Sequence, residues 1–351
     1  MKKLLRPNVL APLILLVALA VALLSFGDPK KLLTLVTHFH RDDLLYFFLL
    51  MVAYEAVRGV QWLVMLRALG VKARLRTQTF AFIGGEVTKS LPVGNYFQNY
   101  LLQQSDGTAF GRSSAATTLI IWIEVVVSLV ALLFLGPGSW VWLRPTIIGG
   151  VIAFALIAWA LYAWFHSTSA PDWMARQKRL RGLMEGVAHF REGAAVLMKP
   201  RLLLVETLLG AVYLVLGGAG LYVITRGLDI TTVTFTQALA IYFVGLAVGL
   251  IIPIPVDLGL TELGGIGTML SLGVARSSAV GVVLLNRVLS IVAALLIAFI
   301  AAFFLRDEFK TVLRGRGPDE DKAQAEERPV APSLSPRRMQ GAEQSIGAIG
   351  A

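Results

Sequence analysis

GGEVTKSLPVGN at residues 84–95 and PIPVDLGLTELGG at residues 253–265 place charge, glycine and proline inside apolar stretches of the chain. Proline breaks helical hydrogen bonding, and glycine permits tight reversal or close helix approach. At membrane depth, non-helical backbone and ionised side chains survive only inside protein or beside water. We therefore expect these two segments to lie in the protein interior or beside water, and to carry the function. The predicted structural breaks are Gly84, Gly85, Pro92, Gly94, Pro253, Pro255 and Gly259.

The composition of the 351 residues is that of a membrane protein. Hydrophobic residues make up 56% and charged residues 15%, whereas soluble domains carry about 25% charged residues. Several apolar runs reach the ~18 residues of a spanning helix. The net charge of +10 fits basic cytoplasmic loops better than nucleic-acid binding. The sequence predicts an all-α polytopic membrane protein.

Six full spans are expected, and the basic residues predict how they are oriented. Lys and Arg concentrate at the N-terminus, in residues 67–78 and 166–201, and after Arg306. The inside-positive bias assigns all four segments to the cytoplasm, so both termini are predicted there, in a plasma (inner) membrane. The predicted spans are residues 8–26, 44–66, 117–136, 145–165, 202–224 and 279–305.

Regions 79–102 and 236–275 hold the two interruptions. An even number of crossings must join each pair of successive cytoplasmic segments, and the full spans already supply it. Each region is therefore predicted to be a re-entrant helical hairpin, and the two enter from opposite faces. The integral domain is predicted to cover residues 1–306, followed by a polar, disordered cytoplasmic tail over residues 307–351.

The tetrapeptide RSSA follows both hairpins, at residues 112–115 and 276–279, and each copy precedes a span. Hairpin, tetrapeptide and span thus recur in the same order with opposite predicted orientation. Inverted repeats with broken helices are typical of transporters. Chance similarity between apolar segments is the alternative.

Charged residues at membrane depth are the candidate binding residues. Glu55 and Arg58, and likewise Glu86 and Lys89, are spaced i,i+3 and share a helix face. A bare charge at mid-bilayer costs at least about 2.5–3.5 kcal/mol, so these groups must face one another or a hydrated cavity. Either they line a path on which cations hold phosphate, or they are ion pairs that fix helix packing. The others are Glu124, Asp257, Glu262 and Arg287.

Other chemistry is not indicated by the sequence. The four histidines have no metal-ligand spacing, there is no nucleotide-binding or nucleophile-elbow motif, and there is no cysteine. We expect no metal, no cofactor and no enzyme activity. Glu206, close to the start of its span, is predicted to be interfacial.

Three segments resemble the lysylphosphatidylglycerol synthase transmembrane-region family. Residues 58–70 (RGVQWLVMLRALG) look like its Arg-containing second helix, and residues 253–262 (PIPVDLGLTE) resemble its P-x-P-G-G-L-G-x-x-E motif. Residues 94–102 (GNYFQNYLL) are similar to its G-E-x-x-R-x-Y-L-L segment, and Arg287 falls where the family has an Arg in its last helix.

This chain departs from the family pattern in the first hairpin. Asn95 and Gln98 stand where the family usually has Glu and Arg, and Glu86 with Lys89 could substitute for that pair. Val256 and Asp257 replace the Gly-Gly pair of the second motif.

The resemblance implies a flippase-like domain that moves lipids or lipid-linked intermediates between leaflets. A polar tail stands where multidomain members carry a soluble aminoacyl-transferase, so a stand-alone member is expected. The implied substrate is a phospholipid or polyprenyl-type lipid, and a lipid-biosynthetic enzyme is a candidate partner. The alternatives are a membrane transferase acting on a lipid carrier, with Asp257 and Glu262 as base, and a scaffold that docks an enzyme through residues 166–201.

Overall fold

Every regular element in the described part of the chain is helical. The computed structural model describes residues 39–89, 94–135, 140, 144–167, 178–251 and 260–306. The predicted first span and tail lie outside these ranges, as do Pro92, Pro253, Pro255, Asp257 and Gly259. The helices are α1 Arg41–Ala68, α2 Leu75–Thr88, a 3₁₀ turn Gly94–Tyr96, α3 Phe97–Asp106, α4 Phe110–Leu135, α5 Arg144–Ser167, α6 Lys178–Leu197, α7 Pro200–Gly227, α8 Phe235–Ile251, α9 Leu260–Ser271 and α10 Arg276–Phe304.

Four of these helices are long and apolar enough to cross a membrane, namely α1, α4, α7 and α10. They match the spans predicted at 44–66, 117–136, 202–224 and 279–305, and they support a multi-pass membrane protein. The span predicted at 145–165 corresponds to α5, whose described apolar stretch is the shorter Ile147–Ile157. Large apolar side chains such as Phe134, Phe299 and Phe303 point outward, as lipid-facing side chains do.

Helices α1 and α7 pack side by side in opposite directions. Gly220 of α7 lies against Phe47 and Met51 of α1, and Gly210 lies against Gln61 farther along α1. Small residues let two helix backbones approach closely in a membrane. This helix pair carries most of the site described below.

The first predicted hairpin is a pair of helices that doubles back. Gly85 of α2 faces Gln98 of α3, and a Cβ on Gly84 would overlap the Leu101 side chain. The prediction that Gly84 and Gly85 break the helix was wrong, because α2 runs unbroken through both. They are small so that α3 can approach. The reversal lies after Thr88, and Gly94 abuts the Thr88 carbonyl.

The second hairpin consists of α8 and α9, which double back in the same way. Gly245 of α8 lies against Thr261 of α9, and Gly264 lies against Gly245 and Val248. Its described helices begin at Phe235 and end at Ser271, in agreement with the predicted limits of 236 and 275.

The two hairpins pack reciprocally. Helix α3 contacts α4, the helix that follows its own hairpin, and α9 contacts α10 in the same way. In contrast, α2 contacts α10 and α8 contacts α4, so the first helix of each hairpin packs on the helix that follows the other. The RSSA copies are themselves helical, since residues 112–115 lie within α4 and residues 276–279 open α10.

Helix α6 was not predicted. It lies in the basic segment 166–201, for which the sequence predicted a cytoplasmic loop. It packs against the start of α4, where a Cβ on Gly111 would overlap the Gly186 carbonyl, and Gly193 faces Ala115. The signal was present: Phe190, Ala194 and Leu197 recur at the three- and four-residue spacing of an amphipathic helix.

Candidate functional site

Arg58 is the centre of a buried ion-pair network between three helices. Its Nε lies 2.8 Å from Oε1 of Glu86 on α2, and its Nη1 lies 2.9 Å from Oε1 of Glu124 on α4. Nη1 also donates to the hydroxyl of Tyr213 on α7. The planar guanidinium, with five N–H donors, suits several acceptors at once. One side chain of α1 thus ties α2, α4 and α7 together.

Lys89 extends the network from the end of α2. Its Nζ lies 2.7 Å from Oε2 of Glu86, so the Glu86 carboxylate bridges Arg58 and Lys89. The ammonium group also lies 5.2 Å from the centre of the Tyr54 ring, within cation–π range. The Glu55 carboxyl faces Glu86 and Lys89. With Glu124, the cluster holds three carboxyl groups and two cations.

Three tyrosines join the network to the second hairpin. The Tyr54 and Tyr213 hydroxyls are hydrogen-bonded and their rings stack with centroids 4.2 Å apart. The hydroxyl of Tyr242 on α8 donates to the Tyr54 hydroxyl over 3.3 Å. Gly217 of α7 makes room for this contact, because a Cβ there would overlap the Tyr242 ring. Both hairpins therefore reach the centre of the protein.

A cleft adjoins the guanidinium of Arg58 between α1, the first hairpin and α4. Its polar wall includes Gln98 and Thr117, and the Gln98 amide donates to the Thr117 hydroxyl over 2.9 Å. The Asn99 amide donates to the same hydroxyl over 3.0 Å. The cleft is lined by Arg58, Trp62, Phe82, Gln98, Thr117 and Ile120.

A second ion pair lies in the second half of the chain. Nε of Arg287 on α10 is 3.5 Å from Oε1 of Glu262 on α9, and both side chains are largely buried. This pair joins the second hairpin to its following helix.

A family profile described as the lysylphosphatidylglycerol synthase TM region matches residues 8–305. The chain belongs to that family. The match contains the whole ion-pair network, the Glu262–Arg287 pair and both hairpins. No curated protein matched the chain.

Most of the predicted site residues lie in two groups. Arg58, Glu86, Lys89 and Glu124 form one network, and the predicted i,i+3 pair of Glu86 and Lys89 is confirmed. The pair Glu262–Arg287 is the second group, and Gln98 lines the cleft beside the first.

Two details differ from the simplest expectation. The i,i+3 spacing of Glu55 and Arg58 predicted a shared helix face and left their pairing open; Arg58 bonds Glu86 and Glu124 on other helices. Asn95 lies partly buried in the 3₁₀ turn before α3 and is not among the residues that line the cleft.

Glu206, predicted to be interfacial, is enclosed by protein. Glu206 is 0% exposed, and its backbone carbonyl lies 3.5 Å from Nε2 of Gln61, which is also 0% exposed. Gly210 brings α7 close to α1 at this level, so a side chain near the end of the span is enclosed. Tyr54, Tyr213 and Tyr242 were not predicted as site residues, because a single hydroxyl within an apolar stretch was their only sequence signal.

Proposed function

We propose that this chain is a flippase- or scramblase-like lipid transporter that moves a phosphate-bearing headgroup through its polar interior. The observation that carries the proposal is the buried network around Arg58 beside a small cleft. Replacing buried ion pairs by well-packed apolar residues is often neutral or stabilising. Their presence in an apolar protein is therefore explained better by a charged ligand than by stability.

The network can accept a phosphate by exchange of partners. Arg58 is held by two carboxylates and Lys89 by one, and a phosphate offers both cations equivalent oxygen acceptors. An Arg–phosphate pair is frequently bidentate, whereas Lys binds phosphate as a point charge. The cleft supplies further polar groups at Gln98 and Thr117. The substrate class is a phospholipid or a polyprenyl-type lipid, whose tails remain in the bilayer.

The proposed transport route uses both halves of the protein. We infer that the two hairpins are re-entrant from opposite faces and form an inverted repeat within a six-span domain. The reciprocal packing of α2 on α10 and of α8 on α4 supports this, and inverted repeats in transporters place the substrate between their halves. Tyr242 couples the second hairpin to the Arg58 network, and Asp257, Glu262 and Arg287 would continue the polar route.

The proposed location is the plasma membrane, with both termini in the cytoplasm. The support is the concentration of Lys and Arg in the connections on one side, as the inside-positive bias requires.

The Glu86→Gln/Lys89→Gln double variant is expected to reduce lipid translocation by roughly 10- to 100-fold, because a hydrogen bond to a charged group contributes about 1.5–3 kcal/mol. The double change leaves net charge unaltered and avoids leaving one partner alone. The measurement is reduction of labelled phospholipid by an impermeant reagent in proteoliposomes. Arg41→Gln/Asp42→Asn is the control, since it also removes one positive and one negative charge, and both residues are exposed in the first turn of α1.

Equal translocation by the two double variants would contradict a role for Glu86 and Lys89. If the folded wild-type protein translocates no lipid, the transporter proposal fails and the scaffold alternative gains. A thermal shift induced by a divalent metal or a nucleotide would favour the transferase alternative.

A further inference from the structure

Glu206 and Gln61 form a second buried polar site, separate from the Arg58 network. Both residues are 0% exposed, one on α7 and the other on α1. Both carboxyl oxygens of Glu206 and Oε1 of Gln61 are shielded from solvent and accept no hydrogen bond. Three acceptor oxygens, on side chains of two packed helices, are therefore buried without a hydrogen bond. Such an arrangement is expensive, since each unsatisfied buried polar group costs about 1–3 kcal/mol and a charged one more.

The neighbours of Glu206 leave it without a counter-ion among the described residues. Gln61 faces it from α1, and Ile123 of α4 lies beside Gly210 at the same level. Helix α8 carries no charged side chain, and its Tyr242 hydroxyl donates to Tyr54.

The charged groups of the other helices packed against α7 are engaged elsewhere or exposed. Arg112 of α4 donates to the Leu69 carbonyl, and Arg67 of α1 is exposed in the last turn of its helix. Arg58 of α1 bonds Glu124 of α4, and Glu55 of α1 faces Glu86 and Lys89. Arg287 of α10 pairs with Glu262.

We propose that Glu206 is an intramembrane proton-binding site, with its carboxylic acid donating to Oε1 of Gln61. One proton supplies the missing donor and removes the charge. It thereby relieves both the unsatisfied hydrogen bond and the desolvation of a carboxylate. Three side-chain oxygens between two unbroken helices offer little to a metal cation, because the helical carbonyls are already hydrogen-bonded.

The proton site shares its two helices with the candidate headgroup site. Gln61 lies one turn from Arg58 on α1, and Glu206 lies two turns from Tyr213 on α7. Loss of the proton leaves a bare carboxylate between α1 and α7, which favours separation or hydration of that interface. Protonation thereby favours the closed packing of the helices that hold the headgroup. This coupling, unlike the proton site itself, rests on the proposed transport function.

The proton site is tested by infrared difference spectroscopy of the purified full chain in nanodiscs. The wild type is expected to show a protonated-carboxyl carbonyl band that shifts in D₂O and is lost in Glu206→Gln. Asp42→Asn, which alters an exposed acid on α1, is expected to keep the band. The Glu206→Gln amide can still pair with Gln61, so the fold is expected to survive. Gln61→Leu is a second variant, in which the band should move to higher frequency because its hydrogen bond is lost.

Two results would overturn the proton site. One is a carboxyl band that is identical in the wild type and in Glu206→Gln. The other is stabilisation by NaCl, relative to choline chloride, that disappears in Glu206→Gln, because the bound cation would then be sodium.

The coupling is tested separately in proteoliposomes with an imposed pH gradient. One coupled proton is expected to bias the steady-state lipid distribution by up to about tenfold per pH unit, and Glu206→Gln is expected to abolish this bias while Asp42→Asn keeps it. A bias that persists in Glu206→Gln overturns the coupling. Absence of any lipid translocation by the wild type would instead overturn the proposed function and leave the infrared result standing.

Discussion

Replacing Arg58 by methionine is expected to lower the free energy of unfolding by about 3–5 kcal/mol, the usual cost of removing one partner of a buried ion pair. Glu86 and Glu124 would lose the donor that each contacts within 3 Å, and Tyr213 would lose its charged partner. Both carboxylates are more than 90% buried, so water cannot replace the guanidinium. The measurement is chemical or thermal unfolding of the purified protein in a defined detergent.

Arg67→Met is the matched control, because it removes the same side chain from the exposed last turn of the same helix. Its expected effect is within about 0.5 kcal/mol, as for ordinary surface changes. Arg58→Lys separates charge from geometry: it keeps the charge, but its ammonium lacks the fork that reaches Glu86, Glu124 and Tyr213 together. An Arg58→Met protein as stable as Arg67→Met would refute the central role of this network.

The double variant Arg58→Met/Glu124→Met is expected to be more stable than the sum of its single changes predicts. It removes the second partner as well, and residues in one network are strongly non-additive. A strictly additive result would mean that Arg58 and Glu124 contribute independently, contrary to their 2.9 Å contact.

The membership of this network could be predicted from sequence, but its pairing could not. Charge at membrane depth is costly enough that Arg58, Glu86, Lys89 and Glu124 had to turn inward. Spacing along one helix then predicted that Glu86 lies beside Lys89, because residues three apart are neighbours on a helix. It also placed Glu55 and Arg58 on one helix face and left their pairing open, whereas tertiary packing brings Glu86 and Glu124 to Arg58. Contacts between helices depend on packing that local spacing does not contain.

Apolar length predicted α1, α4, α7 and α10, and the two glycine-containing interruptions lie in the helix pairs that double back. The role of each glycine was ambiguous, because glycine occurs both where a helix is interrupted and where two helices pack closely. Gly84 and Gly85 were read as breaks, yet they accommodate Leu101 and Gln98 on a continuous helix. The burial of Glu206 could not be predicted for a related reason: it depends on the close approach of α1 at Gly210, a contact that exists only once the helices have packed.

Gly94→Ala is expected to destabilise the protein by about 3 kcal/mol, the upper end of the usual cost of overpacking. A Cβ at Gly94 would overlap the Thr88 carbonyl and lie 2.9 Å from the Lys89 Cα, and both obstacles are backbone atoms that cannot swing aside. The Thr88 hydroxyl lies 2.9 Å from the Gly84 carbonyl and 3.3 Å from the Gly94 carbonyl, so the end of α2 and the 3₁₀ turn meet at this side chain. The reversal would have to open, and Lys89 would move with it.

Gly267→Ala in α9 is the control, because nothing lies within 4 Å of its added Cβ. Alanine in a helix interior is favoured over glycine by about 0.5–1 kcal/mol, so the two substitutions are expected to have opposite signs. Unfolding measurements on both variants give the comparison. If Gly94→Ala proves neutral, the first hairpin does not reverse as tightly as Thr88 and Gly94 indicate. If it unfolds earlier and also loses lipid translocation at temperatures where it remains folded, the close reversal is what holds Lys89 against Glu86 and the Tyr54 ring.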